Sequence, residues 1–531
     1  MRNQRIVGQE VEYGILMLPR PDNCSIIGTT YYDVVGHLYA PDSRFSFSNG
    51  NRAWSNFLAN GAKFYSDTGG HPEYATPECL GARQLVCADQ AGDRFLERVQ
   101  NRANQRLKER GYQHQIYLYK NNSDGKETWG CHENYLVEPR FFDELTNMAS
   151  PSDSLKILMT YLVSGVIYTG NGSICNYLDG TFHFHVSQRA DNIWYQIVNS
   201  TTGNRPIVNA RNEPLCQGWR RLHITSRDSN MSPLQTYLKF GTCSIILDIL
   251  EASRVWLNPK LVLTDPVIAL HQFAADPTLE HKAECENGKR YTALELQKIF
   301  FEQAAKFVQG YGSEEDKKVV VEWERVLDAL SNLKSRPGLL IGEIDWLTKK
   351  AVIEKKIRQL SGYSEERAFD LALKSNKKYE FKGRLCSLAD IAKTINVQYH
   401  DIRRDKGLFY LFAGKNNRPL LTDEEIEELI DRPPEGARAE LRGFLIRECE
   451  KNNENRYYLS FDWNLCAFMK QEIANQRIRN NQEIDSIKIN IFLDNPYDYR
   501  LSEEACLKLT LAGLLKKEEI PERLLPLRRL T

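Results

Sequence analysis

Tyr65-Ser66-Asp67-Thr68-Gly69-Gly70-His71-Pro72-Glu73-Tyr74-Ala75-Thr76-Pro77-Glu78-Cys79 places two phenols, three carboxylates, an imidazole and two prolines within fifteen residues. Tyr65 and Asp67 stand at i and i+2, so on a strand they project from one face. Gly69-Gly70 then turns the chain, and Glu73 follows within reach of that face. Hard oxygen donors converging in this way suit a hard cation such as Mg²⁺. Taken alone, the same residues also fit a strand with a solvated acidic face and a tight turn. Partners elsewhere in the chain shift the balance.

Arg5-Ile6-Val7-Gly8-Gln9-Glu10-Val11-Glu12-Tyr13-Gly14-Ile15 alternates as a strand does. Glu10 and Glu12 share one face; Val11, Tyr13 and Ile15 share the other. Carboxylates side by side on a strand repel, which solvent or a bound cation relieves. An E-x-E pattern is by itself weak, and solvated faces are its commoner cause. Two further segments match: Gly130-Cys131-His132-Glu133-Asn134-Tyr135-Leu136 and Arg220-Arg221-Leu222-His223-Ile224. A lone histidine is more often structural than a ligand. His-Glu-Asn set in a strand among short polar residues is less easily explained by packing. His132 and His223 are therefore candidate imidazole donors to a metal.

The chain has 531 residues, 42% of them hydrophobic and 26% charged, the proportions of a globular protein with several domains. Its 70 basic and 70 acidic residues cancel, so no global field recruits nucleic acid or an anionic membrane. No run of apolar residues is long enough to span a bilayer, and the first residues lack the apolar core of a signal peptide. The expected location is the cytoplasm. The 12 cysteines contain no C-x-x-C pair, so disulfides are not expected and a zinc cage has no support from spacing. Cys79 and Cys131 lie inside the motifs, where buried thiols are commoner than nucleophiles.

Strand-like alternation over 1–14, 61–79, 115–119 and 181–186 is interspersed with helical periodicity over Ala88 to Arg110 and Leu238 to Ala252. This mixture predicts an α+β fold. Beyond about Leu294 the pattern becomes helical. Ser313-Glu314-Glu315-Asp316 and Thr422-Asp423-Glu424-Glu425 each have the form of a capping box. A basic helix carrying Arg438, Arg442 and Arg447 follows Pro433-Pro434. The expected domain boundary lies near Asn396, dividing the chain into 1–395 and 396–531.

Together these motifs resemble the Pup ligase and depupylase family, carboxylate-amine ligases related to glutamine synthetase. The resemblance also runs through Asn60-Gly61-Ala62, Ser187-Gln188-Arg189-Ala190-Asp191, Arg205-Pro206-Ile207-Val208-Asn209 and Asp228-Ser229-Asn230-Met231-Ser232. Later matches are Glu343-Ile344-Asp345-Trp346, Tyr399-His400-Asp401-Ile402-Arg403-Arg404 and Phe461-Asp462-Trp463. It implies a glutamine-synthetase-like domain with a curved, largely antiparallel sheet. The implied reaction joins the C-terminal Glu side chain of a Pup-like modifier to lysines of target proteins, using ATP and Mg²⁺, within a bacterial proteasome system.

The resemblance implies a role for each matching residue. Glu10, Tyr65 and Glu73 match one cation set; Glu12, His132 and His223 match a second. Asp67 matches the catalytic carboxylate. Thr76 and Trp463 match nucleotide contacts, and indole is suited to stacking on adenine. Lys63 stands where the family pattern has Arg, keeping the charge but not the bidentate fork. Arg205, Arg211 and Arg221 are candidates for phosphate or carboxylate, with plain salt bridges as the alternative. After Glu213-Pro214 the chain departs from the family pattern with a shorter Leu215-Cys216-Gln217-Gly218-Trp219, a candidate contact to the modifier. The 46 residues from Ile15 to Asn60 are too few for the full depupylase insertion, so the motifs favour the ligase branch. A depupylase or deamidase is the alternative, and a non-catalytic modifier-binding scaffold the second.

Overall fold

The computed structural model describes residues 4–19, 36–38, 55–67, 69–125, 127–176, 182–201, 205–252, 261–362, 372–412, 420–452, 457–470 and 488–525. The first thirteen strands are β1 (Ile6–Glu12), β2 (Gly14–Pro19), β3 (Ser55–Phe57), β4 (Lys63–Ser66), β5 (Pro72–Ala75), β6 (Cys79–Leu80), β7 (His114–Tyr119), β8 (Cys131–Val137), β9 (Ser173–Asn176), β10 (Phe182–His185), β11 (Tyr195–Val198), β12 (Pro206–Asn209) and β13 (Arg220–Ile224). The main sheet runs β11-β12-β13-β8-β1-β5-β4-β3, with β6 also paired to β1. All its pairings are antiparallel except β11–β12. With the helices described below, this is the expected α+β class.

β1 sits at the centre because both its faces have work. Val7 and Val11 point to one side, where Tyr74, Cys131 and Tyr135 join them in burial. The helix Gly81–Glu109 packs on β1 and β6 from that side, and the helix Pro233–Glu251 packs on it in turn. Gly92 permits the close approach, since a Cβ there would stand 2.5 Å from the Tyr74 ring. This side also holds charge. Lys120 places its ammonium 2.8 Å from Asp89 and 2.9 Å from Asp93, and the Tyr13 hydroxyl donates to Asp93 at 2.6 Å.

The expected elements shift in instructive ways. The strand expected over 61–79 is three strands, because Gly70 at φ 80° folds the chain back. The strand expected over 1–14 ends at Glu12, and β2 leaves the main sheet to pair with β7. Residues 1–3 and Thr181 lie outside the described residues. The helix expected from Ala88 begins at Gly81, since Ala82, Leu85 and Val86 carry its buried stripe further back. The helix expected from Leu238 begins at Pro233, where a proline suits the first turn. Both capping boxes form, at Ser313 and at Thr422.

The division expected at 395/396 falls inside the helix Leu388–Tyr399, whose Ile391, Ala392 and Ile395 belong to the large core. A separate core gathers Leu441, Phe444, Leu445, Phe468, Ile489 and Leu509. The helix Arg438–Asn452 that opens it is not a solvated basic face. Arg438 and Arg442 are buried, and both turn toward Glu78 in the loop between β5 and β6. Arg438 Nε donates to Glu78 at 2.7 Å and Arg442 Nη2 at 2.5 Å.

Burial works against the Glu78 charge, but Arg442 and then Arg438 outweigh it and hold the carboxyl down to about 2, from an ordinary 4.5. A carboxylate depressed in the folded state adds stability above its unfolded value and loses it as pH falls toward the folded one. The shift corresponds to about 3 kcal/mol. Glu78→Gln should therefore lose stability of that order at neutral pH and flatten the acid limb of a denaturation series between about pH 4.5 and 2. An unchanged acid limb would remove Glu78 from the attachment of the smaller core.

Candidate active site

Register decides which side chains meet on the other face of the sheet. Across β1 and β8, Glu10 pairs with His132. Across β1 and β5, Glu12 pairs with Glu73. Glu73 in turn pairs with Tyr65 on β4, and His223 on β13 pairs with Asn134 on β8. Two-residue alternation then brings Glu10, Glu12, Tyr65, Asp67, Glu73, His132 and His223 to one face.

Glu10 faces the nitrogen-rich half. One of its oxygens lies 3.3 Å from His132 Nδ1; the other accepts from Arg221 Nη1 at 3.0 Å and Asn134 Nδ2 at 3.1 Å. His223 Nδ1 is 2.8 Å from Asn134 Oδ1, and the two imidazole rings are 4.8 Å apart. Burial holds the Glu10 carboxyl up, but His132, Arg221 and His223 outweigh it and the group stays ionised far below the usual carboxylate range. Burial pushes His223 well below its ordinary value, which keeps it in the neutral form a metal requires. Glu10, His132 and His223 offer ligand atoms within 4.8 Å of one another.

Glu12, Asp67 and Glu73 form a second cluster of the same tightness, made only of carboxylate oxygens, and the Tyr65 hydroxyl bonds to Glu73. Glu73 is 3% exposed. Burial first, then the charges of Glu10, Glu12 and Asp67, push its carboxyl well above the usual range. Glu12 reaches this cluster because Gly130 leaves room. Gly130 N donates to Glu12 Oε1 at 2.8 Å, and a Cβ at Gly130 would stand 2.4 Å from that oxygen. The donor set fits a hard divalent cation, which would neutralise the repulsion. The tightest clusters thus group the two glutamates differently from the sets implied by resemblance. Glu10 turns to the histidines and Glu12 to Asp67 and Glu73, although the Glu10 charge still reaches Glu73.

A cleft opens beside these clusters. Its walls include Val7, Thr76, Glu10, Arg221, Leu215 and Trp463. Thr76 Oγ1 accepts from Gln9 N at 3.0 Å, which fixes the hydroxyl on the wall. Trp463 is held edge-on by Phe57 at 5.0 Å between ring centres, with the Arg442 guanidinium 5.0 Å from its ring. The divergent Leu215-Cys216 closes part of this wall, and Leu215 adopts φ 52° there.

Other expected residues are placed differently. Lys63 does not line this cleft; its ammonium lies 5.3 Å from the Phe57 ring centre and 5.1 Å from that of Tyr65, and burial lowers its pKa. Arg211 is exposed and paired with Glu213 at 2.7 Å. Arg205 is half-buried, its pKa lowered by burial, with Glu12 the foremost opposing charge. His71, inside the opening motif, stacks on Trp129 at 4.7 Å instead of joining a cluster. Cys79 and Cys131 are buried on the opposite side. Sequence reasoning missed Asn134 as the hub between Glu10, Arg221 and His223, and Glu213 as the second partner of Arg221. Asn134 lay within a quoted motif, but an asparagine in a strand carries no signal of its own.

The family described as Pup-ligase protein matches residues 5–467. A Pup--protein ligase of Acidimicrobium ferrooxidans is 34% identical over 470 residues, covering 87% of this chain and 92% of that one. A Pup--protein ligase of Kineococcus radiotolerans is 33% identical over 473 residues, with the same coverage. Among solved structures, the complex between Prokaryotic Ubiquitin-like Protein Pup and its ligase PafA superposes with a TM-score of 0.75 at 25% identity, over 97% of this chain and 96% of that one. The Pup ligase PafA in complex with ADP gives 0.70 at 26% identity, over 93% and 96%.

The regrouping of the glutamates is measurable by a double-mutant cycle on Mn²⁺ affinity, read by electron paramagnetic resonance. Glu12→Gln and Glu73→Gln should couple by about 1 kcal/mol or more, as neighbours do, while Glu12→Gln and His223→Ala should add within about 0.5 kcal/mol. The reverse pattern would return Glu12 to the histidine set.

Proposed function

This chain belongs to the Pup-ligase protein family, and on that premise we propose that it is an ATP-dependent ligase. It joins the side-chain carboxylate of the C-terminal Glu of a Pup-like modifier to lysine side chains of target proteins, and the marked targets serve a bacterial proteasome system. ATP use accords with the ADP complex of the ligase PafA. The observation that carries the reading is the shared wall: Glu10 and Arg221 line the cleft and also stand among the clustered ligands of the sheet face. A nucleotide in the cleft would therefore direct its phosphates onto those ligands.

A carboxylate does not react with an amine at neutral pH, because its leaving group is oxide. Transfer of the γ-phosphoryl group makes an acyl phosphate and releases ADP. The lysine nitrogen then attacks the acyl carbon, and phosphate leaves. Thr76 and Trp463 bind the nucleotide end, and Arg221 and Arg205 neutralise charge on the transferred group. Glu12 and Glu73, with Tyr65, would hold Mg²⁺, which screens the phosphate oxygens when bound, with Asp67 beside them. Glu10, His132 and His223 offer a second cation position. Asp67, the half-buried member of the carboxylate cluster, accepts the proton that the lysine ammonium must lose.

The small C-terminal unit, built on the second core, contributes Trp463 to the nucleotide. No helix among the described residues is long and apolar enough to cross a membrane; we place the reaction in the cytoplasm.

Incubation of the purified chain with ATP, Mg²⁺ and a Pup-like protein ending in Glu should yield a covalent ladder on gels, dependent on all three. A ladder absent under these conditions, with release of modifier from conjugates instead, would favour the depupylase reading.

Asp67→Asn keeps size but cannot accept the proton. Conjugation should slow by roughly 10²–10⁴-fold while nucleotide affinity holds. Wild-type rates would reject Asp67 as the base, and lost nucleotide affinity would assign it to the cation alone.

A further inference from the structure

Away from the sheet face, the hairpin β9–β10 carries chemistry that the ligase reaction does not use. Cys175 and Ser173 share one face of β9. His183 pairs opposite Cys175 and His185 opposite Ser173, which places all four on the same side. Asp191, on the short turn Ala190–Asn192, comes down onto that side. Its Oδ2 accepts from Cys175 Sγ at 3.0 Å and lies 2.9 Å from His185 Nδ1. The thiol, the imidazole and the carboxylate thus present ligand atoms within 4.8 Å of one another.

We propose that Cys175, His185 and Asp191 form a binding site for Zn²⁺ that ties the β9–β10 hairpin to the Ala190–Asn192 turn. Tetrahedral Zn²⁺ takes thiolate, imidazole and carboxylate at about 2.0–2.3 Å, which sets ligands about 3.3–3.8 Å apart. The contacts of Asp191 to Cys175 and His185, at 3.0 and 2.9 Å, need only a small expansion to reach that spacing. The softness of the thiolate selects Zn²⁺ over Mg²⁺, the opposite preference to the all-carboxylate cluster on the sheet. On binding, the Cys175 S–H bond breaks, a Zn–S bond forms, and the proton leaves to water. Asp191 exchanges two hydrogen-bond donors for the cation. His183 or a water completes the fourth position.

The carboxylate is already held in place. Ser187 Oγ accepts from Arg189 N at 3.2 Å and Ala190 N at 3.1 Å, and Asp228 Oδ1 accepts from Arg189 N at 2.9 Å. His185 is 3% exposed and Asp191 about one-third exposed, so an ion can enter from the Asp191 side. The spacings of ten and six residues between the ligands differ from the short Cys and His spacings of zinc fingers. Only the fold brings them together.

Co²⁺ reports the site directly, because a cysteine ligand gives a thiolate-to-cobalt charge-transfer band that the histidines and carboxylates of the sheet cannot give. Titration of the full chain should show one such band, bleached by Zn²⁺ and unaffected by Mg²⁺. Cys175→Ser should abolish it, and His185→Gln should weaken Co²⁺ binding at least tenfold. A band that survives Cys175→Ser, or no band at saturating Co²⁺, overturns the proposal. Alkylation of the unmodified chain by iodoacetamide, followed by mass spectrometry, tests the same point without a variant. Zn²⁺ should slow labelling of Cys175 at least tenfold, and unchanged labelling overturns the site.

Discussion

Like charges forced together on one face of a sheet are the constraint on which this structure turns. Antiparallel register sets Glu12 directly opposite Glu73, and Glu10 stands two residues away on the same strand. Glu73 is almost wholly buried, so water cannot relieve the repulsion. On one flank the protein supplies its own compensation, since Arg221 and His132 satisfy Glu10. On the other flank Glu12, Asp67 and Glu73 are left to share whatever cation arrives. One strand thereby separates a self-neutralised half, which lines the cleft, from a half that stays electron-rich. That asymmetry is what a phosphate-handling site needs: fixed positive charge on one side of the nucleotide and a place for a mobile one on the other.

The opposite face explains why such repulsion does not distort the sheet. Glu133 pairs with Arg227, and Lys120 with Asp89 and Asp93, all buried. Burial disfavours the Lys120 charge, but Asp89 and then Asp93 outweigh it and hold the ammonium above its ordinary range. Buried pairs of this kind add little net stability over apolar packing, yet breaking one leaves an uncompensated charge. They therefore fix register more than they strengthen the fold. A one-residue slip of β1 against β8 would put Gln9 on the ligand side and turn Glu10 and Glu12 into the core.

Much of this was legible in the residues because strands speak through alternation. The pairing of faces around Glu10 and Glu12, the turn at Gly69-Gly70 and the return of Glu73 all follow from a period of two. The two capping boxes follow from local hydrogen bonding. What was hidden depends on partners distant in sequence. Which glutamate joins which ligand set is a matter of strand neighbours, β8 on one side and β5 on the other, and no local pattern encodes that. The basic helix carrying Arg438 and Arg442 gave no sign that both would be buried, because the carboxylate they pair with lies some 360 residues earlier at Glu78. Where the second core begins is not legible in local pattern either, because Ile391 and Ile395 complete the first while Leu441 and Phe444 join the second.

Arg442 shows how the two cores act on one cleft. Its guanidinium donates to Glu78, to Gly61 O at 2.8 Å and to Trp463 O at 3.0 Å, and it packs against the Phe57 and Trp463 rings. Glu78 follows Thr76 by two residues, so the loop that presents Thr76 to the cleft is the loop that Arg442 grips. Arg438 holds the same carboxylate and also donates to Leu215 O at 2.7 Å, on another wall. Three walls of the cleft are thus fastened through two neighbouring arginines and one carboxylate. Motion of the smaller unit cannot open the cleft without breaking these charge-assisted bonds. The shape of the cleft and the attachment of that unit are therefore coupled through Glu78.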